Sequence, residues 1–182
     1  MSIFKKAILI IAFIIGVLFV ASIVVLWQFN GEVFFWAPDY KQLNSFMRTN
    51  FNELSYVADA LSKMNYDSIT IRKDSVYEEA PYSMKVSREY LVYETVPVPD
   101  ELINHIDMLF SSGIRVISYG GEQVNFSVWS TMDESRGIMY SITGSPPSGE
   151  QLIEVRQLSN ENWYYYVHNY EKAKKLNPEK FE

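Results

Sequence analysis

The stretch IRVISYGGEQVNFSVWSTMDESRGIMYSIT, residues 114–143, decides the fold. Two runs of alternating apolar and polar residues, Ile114 to Tyr119 and Glu122 to Met132, flank Gly120-Gly121, a pair suited to the two-residue turn of a β-hairpin. Along the second run Val124, Phe126 and Val128 alternate with Asn125, Ser127 and Trp129, and further on Ile138, Tyr140 and Ile142 alternate with Met139, Ser141 and Thr143. Successive strand side chains point to opposite faces, so the first set of each is read as core and the second as a polar and aromatic surface. Asp133 to Gly137 makes a turn between these runs. Gly144 to Gly149 makes a longer one, ahead of strands at Gln151 to Gln157 and Asn162 to His168. The pattern is an antiparallel meander, and the charged tail from Glu171 reads as partly helical.

Upstream of the meander, the stiff Val96-Pro97-Val98-Pro99 leads into Asp100-Glu101, acidic residues that suit the positive end of a helix. Leu102, Ile103, Ile106, Leu109 and Phe110 make that helix amphipathic, and Ser111-Ser112-Gly113 ends it. Short strands are expected at Ser68 to Arg72 and Glu89 to Tyr93, with a loop from Lys73 to Pro81. Before them, Asp39 and Gln42 form a capping-box pattern that opens a helix running to about Met64. Tyr40, Leu43, Met47, Leu54, Val57, Leu61 and Met64 recur there at heptad spacing, with Asn50 in the one missing place. Such spacing fits a dimeric coiled coil through Leu43, Met47, Asn50, Leu54 and Leu61, with Asn50 fixing the register. It equally fits a helix packed on its own sheet, and Phe46, Phe51 and Ala58 widen the stripe in favour of that packing.

Helices set against a hairpin-connected sheet imply a two-layer α+β domain over residues 39–182. Cystatin-like folds share this layout, by analogy of architecture alone. No internal repeat long enough for a solenoid stands out.

The chain begins differently. Residues 7–29 carry no charge and are almost wholly aliphatic or aromatic, enough for about 34 Å of helix, which spans a bilayer with slight tilt. A cleaved signal peptide has a shorter apolar core followed by small residues, whereas Ala21-Ser22 lies inside this one. Lys5 and Lys6 precede the run and Glu32 and Asp39 follow it, so the arm 1–6 is expected in the cytoplasm and the domain outside, joined by a linker at 30–38. Trp27 and Phe34-Phe35-Trp36 fit the aromatic belt of the outer interface. Lys5 and Lys6 are the only charges before Glu32 in a chain of net charge −6, which leaves −8 on the outer portion.

Composition narrows the chemistry. Sixteen basic against 22 acidic residues give no basic footprint for nucleic acid. With no Cys there are no disulfides, thiol nucleophiles or lipid attachment through sulfur. His105 and His168 belong to no metal-ligand pattern, and His105 is placed one helical turn after Glu101. No metal or other cofactor and no catalytic set is expected. Glu78-Glu79 and Asp133-Glu134 are the acidic pairs an envelope hydrolase would need, with one carboxyl raised in pKa in a cleft. Trp163-Tyr164-Tyr165-Tyr166 is aromatic on both faces of its strand, and with Trp129 it offers a candidate recognition surface built on Trp129, Tyr164 and Tyr166. The alternative is burial of those rings by the helices. The sequence thus reads as a membrane-anchored binding module for a protein or a small ligand, with an envelope hydrolase or an accessory subunit of a membrane complex as the other readings.

Overall fold

The computed structural model describes residues 37–73, 82–89 and 92–176. The apolar run 7–29, the rings at 34–36 and Glu78-Glu79 lie outside them. Among the described residues no helix is long and apolar enough to cross a membrane.

Asp39 opens helix α1 (Tyr40–Thr49) as its capping box requires: its side chain accepts from the Gln42 amide at 2.9 Å, and the Gln42 side chain accepts from the Asp39 amide at 2.9 Å. The long helix read from the heptads is broken. Asn50 leaves helical geometry at φ −108°, ψ 19° and uses its side chain to donate to the Phe46 carbonyl, and α2 (Phe51–Ser62) starts anew. An Asn competes with the backbone for its own hydrogen bonds, so the register residue of a coiled coil becomes a joint here.

The remaining elements are β1 (Ser68–Lys73), β2 (Tyr82–Glu89), β3 (Val92–Val96), α3 (Asp100–Ser111), β4 (Val116–Gly120), β5 (Gln123–Ser130), β6 (Glu134–Ser141), β7 (Leu152–Gln157), β8 (Trp163–Asn169) and α4 (Tyr170–Leu176). The strand expected at Glu89 to Tyr93 in fact straddles two, ending β2 and beginning β3. The hairpin turn falls one residue later than expected, at Gly121-Glu122, because Gly120 pairs with Gln123. Gly113 ends α3 as read, at φ 118°, which an L side chain resists.

Among the described residues all eight strands join one antiparallel sheet in the order β3-β2-β1-β4-β5-β6-β8-β7. It is therefore no single meander: two three-stranded meanders meet where β1 pairs with β4, and the β7-β8 hairpin is added beyond β6. Helices α1, α2 and α3 cover one face. Leu43, Met47, Leu54 and Leu61 from α1 and α2, Leu102, Ile106 and Leu109 from α3, and Ile69, Ile71, Ile117, Phe126 and Ile138 from the strands form one core. Each such residue contributes about 1.5–3 kcal/mol when fully buried. The coiled-coil reading is thereby corrected, since Leu43, Met47, Leu54 and Leu61 are all 0% exposed within this domain and out of reach of a second chain.

The two meanders repeat one plan. Glu53-Leu54 and Glu101-Leu102, Asp59 and Asp107, Leu61 and Leu109, and Ile69 and Ile117 stand at one constant spacing, which also relates the starts of β1 and β4. Leu54, Ala58 and Leu61 are buried on α2, as Leu102, Ile106 and Leu109 are on α3. Ser87 pairs with Ser68 and Ser127 with Val116, and Ser68 and Val116 stand at that same spacing. Directly after each of those serines the strand bulges, between Ser87 and Glu89 in β2 and between Ser127 and Trp129 in β5. Bulges are specific features rather than accidents, so a shared one marks equivalent strands. The domain is thus a pseudo-two-fold pair of helix–three-strand units, β1 matching β4, β2 matching β5 and β3 matching β6. Truncating Leu54 or Leu102 to Ala should cost similar stability, about 2–5 kcal/mol in denaturant melts, without changing the sedimentation of the chain. A change of association with stability intact for Leu54→Ala would restore the coiled coil.

Candidate functional site

The outer face of the sheet, opposite the helices, divides in two. Over β6, β8 and β7 the outer face holds a small apolar cluster: Met139, Tyr164 and Tyr166 are buried beside Leu152 and Val155 of β7, and the Tyr164 hydroxyl donates to the Gly144 carbonyl at 3.2 Å. Gly137 makes this possible, because a Cβ there would stand 2.9 Å from the Tyr166 ring and 2.2 Å from the Phe126 carbonyl oxygen. A groove of about 490 Å³ lies along the edge strand β7, lined by residues 147–150 and 152–155.

Over β2, β1, β4 and β5 the outer face is polar. One cross-strand row runs Lys85, Thr70, Ser118, Asn125 and then Met139, and its neighbours carry Ser83, Arg72, Ser127, Ser68 and Gln123. Directly opposite side chains in such a row stand about 5 Å apart, so adjacent pairs can act together on one bound group. Asn125 stands out, since its Oδ1 is shielded from solvent yet has no hydrogen-bond partner among the described residues. Buried polar atoms are nearly always paired, and an unpaired one costs about 1–3 kcal/mol.

The aromatic surface read from the sequence is corrected on each of its three residues. Tyr164 and Tyr166 are buried with Met139, Leu152 and Val155, while Trp163 and Tyr165 enter the main core, so both faces of that strand are covered. Trp129 has changed sides. The bulge at Val128 shifts the alternation by one residue, so Trp129 pairs with Arg136, packs against the helix-side core, and lies under the Arg136 guanidinium at 5.9 Å from the ring centroid.

The charged groups are also placed. Glu134 is a strand residue rather than part of a solvated turn: it accepts from Arg136 Nε at 2.7 Å and from Asn169 Nδ2 at 3.1 Å. Burial alone would raise its carboxyl, but the hydrogen bonds from Arg136 and Asn169 and the charges of Arg136 and Lys172 outweigh it and hold it below the usual range. That is the opposite of what a general acid requires. Arg136 Nη1 also donates to the Pro38 carbonyl at 3.2 Å, tying the entry of the chain to the sheet. Asp133 is exposed. His105 pairs with Glu53 of α2 rather than with Glu101, and stacks on Tyr56 with ring centroids 4.0 Å apart. His168 lies on the outer face beside Tyr166, and burial pushes its pKa below the ordinary value. Burial likewise pushes the Tyr166 hydroxyl up to about 12, against hydrogen bonds with Ser127 and Ser135 that lower it. Among the described residues no group of three or more His, Asp or Glu is arranged to hold a metal ion.

The polar row escaped the sequence reading except at Asn125 and Ser127. Its signal was the Ser/Thr alternation of Ser68-Ile69-Thr70-Ile71 and Val116-Ile117-Ser118, visible only once β1 and β4 are paired. Compared with protein families, with curated proteins and with solved structures, the chain matches none.

Two groups tie stability to acidity. His168 is disfavoured as a cation in the fold, so the unfolded chain takes up protons first as pH falls below about 6.5, and stability drops. Glu134 is favoured as an anion in the fold, so its contribution is present above pH 4.5 and is lost as pH falls through its lowered folded value. Melts recorded from pH 7 to 3 should show His168→Gln flattening the first decline and Glu134→Gln the second. Unchanged profiles would mean that neither group is held as described.

Proposed function

We propose that the protein is a single-pass membrane protein, N-terminus in the cytoplasm, whose acidic extracytoplasmic domain binds a polar ligand or another protein without catalysing a reaction. The anchor is read from the uncharged stretch 7–29 with Lys5 and Lys6 ahead of it. The binding role is carried by one observation, the unpartnered Asn125 Oδ1 on the strand next to Ser118, in the polar row that continues through Thr70 to Lys85 on the outer face of the sheet. A bound donor group would satisfy that oxygen, and the neighbouring hydroxyls and the Lys85 ammonium would supply further hydrogen bonds. The hydrolase reading loses support at Glu134, whose carboxyl is lowered and already taken by Arg136 and Asn169.

The absence of Cys makes topology directly testable. In intact cells a membrane-impermeant maleimide should label Met132→Cys, a fully exposed position, and should label Ser2→Cys only after lysis. The reverse pattern would overturn the orientation. For binding, a photo-crosslinking residue at Ser118 in the native membrane should give a discrete adduct that is missing when the same residue sits at Asp59, on the helix side. Equal adducts at both, or none at Ser118, would remove the outer face as the binding surface.

A further inference from the structure

We propose that the free edge of β3 is a strand-acceptor site, which takes an extended, basic segment of a second protein in antiparallel register. This rests on the reading of the domain as a binding module and adds a second surface to it, apart from the polar outer face.

The internal pseudo-symmetry points to the edge. Val96 pairs with Met84 as Tyr140 pairs with Val124, so β3 occupies in the first unit the place of β6 in the second. The far edge of β6 holds β8 along its whole length, from Glu134 opposite Asn169 to Tyr140 opposite Trp163. The same edge of β3 carries no strand among the described residues. An edge of unpaired backbone amides and carbonyls is a template for another strand, and native sheets guard it with charged side chains, Pro, bulges or a cover. Within Val92–Val96 there is neither Lys nor Pro, the one charge is Glu94, the one bulge lies on the β2 side between Ser87 and Glu89, and Val92 and Tyr93 are 62% and 61% exposed. In strand addition the main-chain hydrogen bonds give the affinity and the alternate side chains along the edge give the specificity.

The equivalence also specifies the occupant. Ile138 faces Tyr165 across β6 and β8, and its counterpart in β3 is Glu94; Gly137 faces Tyr166, and its counterpart is Tyr93. A segment on β3 therefore needs a basic residue opposite Glu94 and a small one opposite Tyr93, where Gly137 leaves the room that Tyr93 fills. Two copies of β3 laid antiparallel about Glu94 would set two carboxylates face to face, which is destabilising and argues against a second copy of this chain.

The probe is a synthetic peptide of residues 163–169 carrying Tyr165→Lys and Tyr166→Gly, added to the full chain in detergent micelles. It should slow amide hydrogen exchange across Val92 to Val96. Glu94→Lys should weaken its binding roughly fivefold or more, and a peptide with Tyr165→Glu instead should regain that loss on the Glu94→Lys chain. Absent protection of β3, binding indifferent to Glu94→Lys, or self-association of the chain through β3 would each overturn the proposal. Failure of the peptide with the Ser118 adduct intact removes the edge site alone; loss of both removes the binding module itself.

Discussion

Burial of the helix-side face of the sheet governs the rest of the domain. Helices α2 and α3 lie side by side over the central strands, and Leu54, Leu61, Leu102 and Leu109 drive into Ile69, Ile71 and Ile117. Because side chains alternate across a strand, fixing these residues inward fixes Thr70, Ser118 and Asn125 outward. A slip of one residue between β1 and β4 would exchange the two sets and expose the core. The polar face is thus a geometric consequence of the apolar one.

Where the alternation fails, the chain shows why. The bulge at Val128 sends Trp129 to the helix side, and Arg136 uses that ring and the Glu134 carboxylate to reach Pro38. Helix α1 is tied to the added hairpin in the same region, its Asn44 accepting from the Ser159 amide at 2.9 Å and its Tyr40 hydroxyl donating to the Gln157 carbonyl at 2.9 Å. The second unit therefore has a helix and a hairpin packed on its outer strand. Nothing equivalent is seen at β3 among the described residues, and the two units, alike in plan, end in different surfaces.

Much of this was legible in the residues. Periodicity and turn chemistry marked α1, α3, the strands from Val116 onward and the cap at Gly113, because each depends on near neighbours. What depends on distant pairing was not. The break at Asn50 is itself local, but the residue fills a heptad place and the periodicity reads through it. Burial of Tyr164 and Tyr166 needs β7 paired on β8 with Leu152 and Val155 beside the rings, and the partner of His105 lies on another helix. The duplication was hidden because its matching residues are few, scattered and joined by connections of unequal length: residues 74–81 separate β1 from β2, and Gly121-Glu122 separates β4 from β5. It becomes plain when the two bulges are seen at matched positions.

The shared core of the two units is tested most directly by native-state amide hydrogen exchange along the whole chain. Ile69, Ile71, Ile117 and Phe126 should exchange slowest and with one common opening free energy, while the amides of β3 and β7 at the sheet edges exchange faster. Separate opening free energies for the two three-stranded units, or strongest protection in β3, would contradict a single core built across the β1–β4 junction.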